Sequence, residues 1–267
     1  MLPFLHLGPL SVPTFGLMVA TAMLVAFAIL RVDLRRWGLP IEAETLVGLP
    51  ATLGIVGAKL YHVLESPRDL MAHPVGELFS QFGFAWFGGL IAGIATFVFL
   101  ARRYQIPFLK LCDVASPAAA LGYGIGRIGC LLSGDGDYGV PTSLPWGMAF
   151  PNGLVPTTER VHPTPLYEFA AAIIIFLILR RLGSRWFVSQ GNLQPVSMDG
   201  APARVPSPSR KSGSLFALFL ILSGVSRFLV EFIRINPKVL FGLTNAQIAS
   251  LACLLLGVVL FVARRPA

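Results

Sequence analysis

The sequence predicts an all-α polytopic membrane protein with seven transmembrane helices, its N-terminus outside and its C-terminus cytoplasmic. Three observations predict it: a composition too apolar for water, seven runs of bilayer-crossing length, and basic residues collected in alternate connections. Of 267 residues, 55% are hydrophobic and 13% charged, against about 45–50% and 25% in an ordinary soluble domain. Mean hydropathy is +0.72. Such an excess leaves too little polar surface to face water, so a soluble globule is excluded and residues 1–267 read as one integral membrane domain.

A helix needs about 20 mostly apolar residues to cross the hydrocarbon core, and such runs lie near 11–31, 43–64, 84–101, 111–133, 165–182, 214–234 and 240–263. The first follows Met1–Leu10, which carry no Lys or Arg. Without the basic n-region of a cleavable signal peptide, this run is expected to stay in the mature protein. The second holds Lys59 near its end, and the third opens at Phe84. The fourth is interrupted by Gly122, Gly124, Gly126 and Gly129, which suits close helix approach inside a bundle. Pro163 and Pro165 open the fifth, where proline fits a first helical turn and Thr164 suits a cap. The sixth carries Arg227 and Glu231, and the seventh closes the chain. Between the fifth and sixth, 184–212 is rich in Pro, Ser and Gly and reads as a mobile cytoplasmic loop. No internal repeat is evident, which argues against an inverted-repeat transporter.

Charge sets the orientation, because cytoplasmic loops collect Lys and Arg. Alternate connections hold 14 basic residues, among them Arg35, Arg36, Arg102, Arg103, Arg180, Arg181 and Arg264. The opposite set holds Arg68, Arg160, Arg234 and Lys238. The net charge of +8 is therefore explained by topology and anionic lipid, and no nucleic acid partner is implied. Cys112, Cys130 and Cys253 are too few and too scattered for a disulfide framework or a zinc or iron–sulfur site.

Lys59, Arg127 and Arg227 remain inside spans. A central Lys or Arg costs about 2.5–3.5 kcal/mol there, so it faces a bundle interior or wet cavity, or snorkels. Lys59, beside Tyr61, His62 and Glu65, fits snorkelling. Arg227 and Glu231 are four apart and share a helix face, either as a structural pair or with Glu231 aiming a planar guanidinium at phosphate. Arg127 stands among glycines with no acidic partner within its own helix, an arrangement that suits an anion. Asp135 and Asp137 follow in Ser133-Gly-Asp-Gly-Asp-Tyr-Gly139, which reads as a turn or as carboxylates at the membrane surface. The match Gly124-Ile-Gly126-Arg-Ile-Gly129 is no dinucleotide fingerprint, since no strand precedes it. In His162-Pro-Thr-Pro-Leu-Tyr-Glu168, His162, Tyr167 and Glu168 are expected at the outer interface, as anchors or as catalytic groups. The 136–163 segment, with Pro141, Pro145, Trp146, Phe150 and Pro151, is expected to fold over the membrane and handle substrate.

In this order on seven spans, Gly126-Arg-Ile-Gly129 with its glycine-rich continuation, His162-Pro-Thr-Pro-Leu-Tyr-Glu168 and Arg227-Phe-Leu-Val-Glu-Phe-Ile-Arg234 resemble the prolipoprotein diacylglyceryl transferases. The likeness runs from Val12-Pro-Thr-Phe-Gly-Leu-Met18 to the last helix, apart from 184–212. Phe87 stands where that family commonly has histidine, Phe15 where it has tyrosine, and Cys130 where it has asparagine. The form resembles a divergent branch.

The resemblance implies a multi-pass enzyme of the bacterial inner membrane. Its substrates would be phosphatidylglycerol and prolipoprotein signal peptides, and the reaction moves a diacylglyceryl group to the lipobox cysteine and releases glycerol phosphate. Arg127 and Arg227 would bind the lipid phosphate, with Glu231 orienting Arg227. Asp135, Asp137 and His162 are the candidate bases, and Gly126, Gly129, Gly134, Gly139, Tyr167 and Glu168 are signature positions. No metal or cofactor is required, since two guanidiniums supply electrostatic stabilisation. The alternative is a lipid transporter, or a relative that binds phospholipid or lipoprotein without turnover.

Overall fold

The computed structural model describes residues 1–8, 10–65, 67–72, 75–76, 85–187 and 211–264. It separates into two compact units, one formed by Met1–Trp37 with Cys112–Ala267 and the other by Gly38–Leu111. Long helices occupy the expected runs: α1 (Thr14–Arg36), α2 (Ala43–Glu65), α4 (Trp86–Arg103), α5 (Phe108–Ser133), α6 (Thr164–Phe187), α7 (Ser214–Val230) and α8 (Asn245–Ala263), with a short α3 at Pro67–Ala72. Among the described residues, α1, α2, α4, α8 and α7 with its 3-10 extension to Ile233 are long and apolar enough to cross a membrane. Helices α5 and α6 stand outside that set; they carry Arg127 and Glu168, the charges around which the site is built.

The all-α expectation needs amendment at the helix ends, where among the described residues six short strands form three antiparallel hairpins. Strands β1 (Phe4–Leu7) and β2 (Leu10–Pro13) precede α1, so the first helix begins at Thr14 and not near 11. Strands β3 (Met148–Phe150) and β4 (Thr157–Val161) fold the long α5–α6 connection around Tyr138, Phe150 and Val161, which are buried together. Strands β5 (Lys238–Leu240) and β6 (Leu243–Thr244) separate the last two helices. The last helix was expected from 240 and starts at Asn245, because Thr244 and Gln247 form a reciprocal capping box. Helix α6 continues to Phe187, so the start of the expected 184–212 loop is helical. Positions 188–210 of that loop lie outside the described residues.

Two packing arrangements define the units. In the 38–111 unit α2 meets α4 at small residues: a Cβ on Gly57 would lie 2.7 Å from the Gly88 carbonyl oxygen, so backbones approach as they do at membrane helix crossings. Lys59 is buried on α2, unlike the snorkelling expected of it. In the larger unit, α7 lies along α8 at Gly224 and Gly257, each facing backbone of the other helix. The start of α7 is held by Asp113 of α5, a fully buried carboxylate that accepts N–H bonds from Gly213 at 2.5 Å and Phe216 at 2.7 Å.

Candidate active site

Helix α5 ends at Ser133, and the chain reverses through Gly134 at φ +59°, a left-handed conformation that disfavours side chains. Asp135 and Asp137 therefore do not continue along the axis of α5. The turn brings Asp137 back onto Arg127. Gly139 then threads between two other segments: its N–H donates to the His162 carbonyl at 2.8 Å, and Val140 N–H donates to the Ile233 carbonyl at 2.8 Å. A Cβ on Gly139 would sit 3.0 Å from both His162 Cβ and Thr164 Cγ2. This strut ties all three motif segments together in one unit. Thr164, expected as the cap of α6, is the first residue of that helix, and its hydroxyl donates to the Asp137 carbonyl.

Three arginines and three carboxylates interlock here. Glu168, 2% exposed, takes a hydrogen bond from the Tyr123 hydroxyl at 2.6 Å and from Arg227 at 3.0 Å on Oε1. Its Oε2 faces Arg127 Nε at 3.5 Å and Arg234 at 3.4 Å. Asp137 pairs with Arg127 through one oxygen and with Arg234 through the other. Glu231 pairs with Arg227 at 2.8 Å and is held by Asn236 at 2.6 Å and Thr244 at 2.8 Å. The Arg127 guanidinium also lies 4.9 Å from the centre of the Tyr123 ring, a cation–π contact.

Several expectations change. Arg127 has acidic partners after all, supplied by other segments. Glu168 is not an interfacial residue; it is the buried centre of the cluster. Arg234, counted among the outer loop charges, is buried within it. Sequence reasoning passed over Arg234 and Tyr123, although the spacing Arg227, Glu231, Arg234 already places three charges along one helical face. Arg127 and Arg227 side chains keep 20% and 23% of their surface, while Arg234 keeps 5% and Glu168 and Glu231 almost none. The first two thus form the accessible edge, with Asp137 beside them, and the others the foundation.

Of the candidate bases, Asp135 accepts the Asp137 N–H at 3.2 Å and the Cys130 thiol. Burial, helped by the neighbouring Asp137 charge, raises its pKa above the ordinary carboxylate value despite those hydrogen bonds. Burial also pushes Asp137 upward, but Arg234, Arg127 and Arg227 together outweigh it and hold Asp137 low. His162 Nδ1 lies 3.1 Å from the Tyr167 hydroxyl, which accepts from Trp146 Nε1 at 2.7 Å. Cys130, Asp135 and Asp137 offer ligand atoms within 4.8 Å of one another, but guanidiniums occupy both oxygens of Asp137. Phe15 packs on α5, 3.1 Å from where a Gly129 Cβ would stand. Phe87 lies on α4 of the other unit, exposed and edge-on to Trp86.

Fold and site define a multi-pass helical membrane protein with a semi-buried arginine–carboxylate cluster at the ends of its helices. A family model for prolipoprotein diacylglyceryl transferases matches residues 3–263, and the chain belongs to that family. It is similar to the phosphatidylglycerol–prolipoprotein diacylglyceryl transferase of Geobacter sulfurreducens, 32% identical over 97% of this chain and 93% of the relative. Proteins of the same name from Bordetella avium, at 33% over 97% and 92%, and Vibrio cholerae, at 32% over 96% and 88%, are comparably similar.

Proposed function

We propose that this protein transfers the diacylglyceryl group of phosphatidylglycerol to the lipobox cysteine of a prolipoprotein, forming a thioether and releasing glycerol phosphate. The observation that carries the reading is the set of three guanidiniums held on buried carboxylates, two of them open at one edge, in a chain of this family. The thiolate sulfur attacks the glyceryl carbon bearing the phosphodiester oxygen; the carbon–oxygen bond breaks and its electron pair leaves with the phosphate. Charge grows on the departing phosphate monoester, and preorganised donors aimed at growing charge are the largest catalytic aid such a site offers. Arg127 and Arg227 fill that role. Three cations face three carboxylates, so the site carries no standing excess of positive charge. The lipid phosphate must therefore compete with Asp137 for Arg127 and use the remaining N–H donors of Arg227, which Glu231 and Glu168 orient.

A thiol of pKa about 8.5 must lose its proton before attack. Asp135 is the base, because its raised pKa lies nearer to working pH than that of Asp137, and matching of that kind favours general-base catalysis. His162, with Nδ1 held by Tyr167, is the weaker choice. Phe87 therefore does not preclude turnover. The protein resides in the bacterial inner membrane on seven spans, N-terminus outside and C-terminus cytoplasmic, a reading supported by the basic residues gathered at the C-terminal ends of α1 and α4. Its partners are phosphatidylglycerol and prolipoprotein signal peptides.

The test is incubation of purified protein with a lipobox peptide in phosphatidylglycerol micelles. A thioether-linked peptide and an equal amount of glycerol phosphate are expected. Peptide or lipid binding without either product would replace the enzyme with a non-catalytic binder.

A further inference from the structure

The β5–β6 hairpin projects from the end of the α7–α8 pair, and its residues are unusually apolar for their exposure. Phe241 at its tip is 92% exposed, and Val239 and Leu240 beside it are also exposed. Its backbone is costly as well as its surface. Phe241 and Gly242 have φ of +51° and +74°, the pair of left-handed residues a two-residue hairpin turn requires. Glycine, asparagine or aspartate meets that requirement readily, whereas a bulky side chain is strained there. Among the described residues nothing covers this aromatic at its strained tip.

The surroundings say what covers it. Both flanking segments, Ser214–Ile233 and Asn245–Ala263, are long and apolar enough to span a bilayer, so a hairpin joining them sits at a membrane surface. Val225, Leu229 and Phe232, at helical spacing toward the end of the Ser214–Ile233 segment, are exposed, and so are Ile235, Val239, Leu240 and Phe241 that follow them in the chain. Lys238 at its base is exposed, placed as a cation snorkels toward headgroup phosphate. Phe and Leu side chains of interfacial segments bury at the boundary between headgroups and acyl chains.

We propose that the Lys238–Thr244 hairpin is an interfacial finger whose tip, Phe241, is seated in the lipid surface. The finger has a purpose beyond anchoring. Asn236 and Thr244, at its two ends, both donate to Glu231 Oε1, and Glu231 holds Arg227. Seating the tip fixes the depth of Arg227 relative to the headgroups. The inference rests on the two helices being spans and not on the transfer reaction.

The experiment places one added tryptophan, in Phe241→Trp or separately Leu240→Trp, in the full chain in phospholipid nanodiscs, with parent emission subtracted. Leu255→Trp, at an exposed position within α8, is the depth control. The expected result is blue-shifted added emission at 241 and 240. Bromines near the top of the acyl chains should quench it, and aqueous iodide should not; the Leu255→Trp signal should respond to deep bromines. Iodide quenching at 241 and 240, with Leu255→Trp still deep, would overturn the finger and leave the spans intact. Quenching of all three by iodide would overturn both. Shielding at 241 that develops only when a lipobox peptide is added would also overturn the finger and make the tip a polypeptide contact.

Discussion

Glu168 faces three guanidiniums and a phenol from a position closed to solvent. Removing one partner from a buried ionic group costs about 3–5 kcal/mol because the others are left uncompensated. Glu168→Gln is therefore expected to lower the unfolding free energy in detergent by that order as well as abolish transfer; a variant as stable as the parent would show the cluster to be solvated. At the accessible edge the effect is chemical. Arg127→Lys and Arg227→Lys keep charge but lose the planar fork, and a hydrogen bond to a charged group is worth about 1.5–3 kcal/mol. Each should cut kcat/KM by roughly 10- to 100-fold, read in the peptide lipidation assay with folding checked by the thermal midpoint.

Asp135 carries a pH signature in both rate and stability. With its folded pKa raised, activity falls on the acid side at a higher pH than the ordinary aspartate value of about 3.9, and Asp135→Asn removes that limb. The stability sign is opposite. A raised carboxyl pKa means the folded state binds the proton more tightly, so stability declines as pH rises from the unfolded value through the folded one. Asp135→Asn is thus expected to be more stable than the parent at neutral pH, measured by denaturant unfolding. Asp137 behaves inversely: its lowered pKa stabilises the fold above the ordinary carboxylate range and is lost as pH falls through the depressed folded value.

Among the elements, α7 depends on a neighbour for its start. Its N-cap is Gly213, which has no side chain to accept the first N–H groups, and Asp113 of α5 accepts two of them instead. Asp113→Ala leaves those donors buried and unmet at about 1–3 kcal/mol, and a clear drop in thermal midpoint is expected, with Asp113→Asn closer to the parent because its amide oxygen still accepts. An Asp113→Ala midpoint equal to that of the parent would mean water replaces the cap. Helix α8 needs no such help, since Thr244 and Gln247 cap it locally. Thr244 at the same time reaches Glu231, so one residue both starts a helix and steadies the site.

At the scale of the whole molecule, the larger unit holds every member of the arginine–carboxylate cluster, although these residues come from α5, the connection after it, α6, the last turn of α7 and the α7–α8 junction. Moving Arg234 from the outer loops into the cluster leaves Arg68, Arg160 and Lys238 on that side, which sharpens the asymmetry behind the proposed orientation. A reporter cysteine within 188–210, in a background with Cys253 replaced by serine, should resist an impermeant thiol reagent on intact cells and react after permeabilisation. Labelling from outside would reverse the topology.

The helices were legible because lipid imposes its requirement residue by residue. Length and apolarity decide a span, and the runs at 43–64 and 84–101 fall within a few residues of α2 and α4. Arg127, Arg227 and Glu231 were legible for the same reason, as charges conspicuous in an apolar background. Arg234, Glu168 and Tyr123 were not, since at the edge of a span a charged or phenolic side chain reads equally as solvated surface. Only the tertiary structure decided that they converge. The turn at Gly134 reverses the chain, the Gly139 strut crosses to His162 and Ile233, and carboxylates 10, 41 and 59 residues from their arginines become partners. Pairing of this kind is electrostatic and non-local: it depends on distance in space, which spacing along one helix reports only for Glu231 with Arg227 and Arg234.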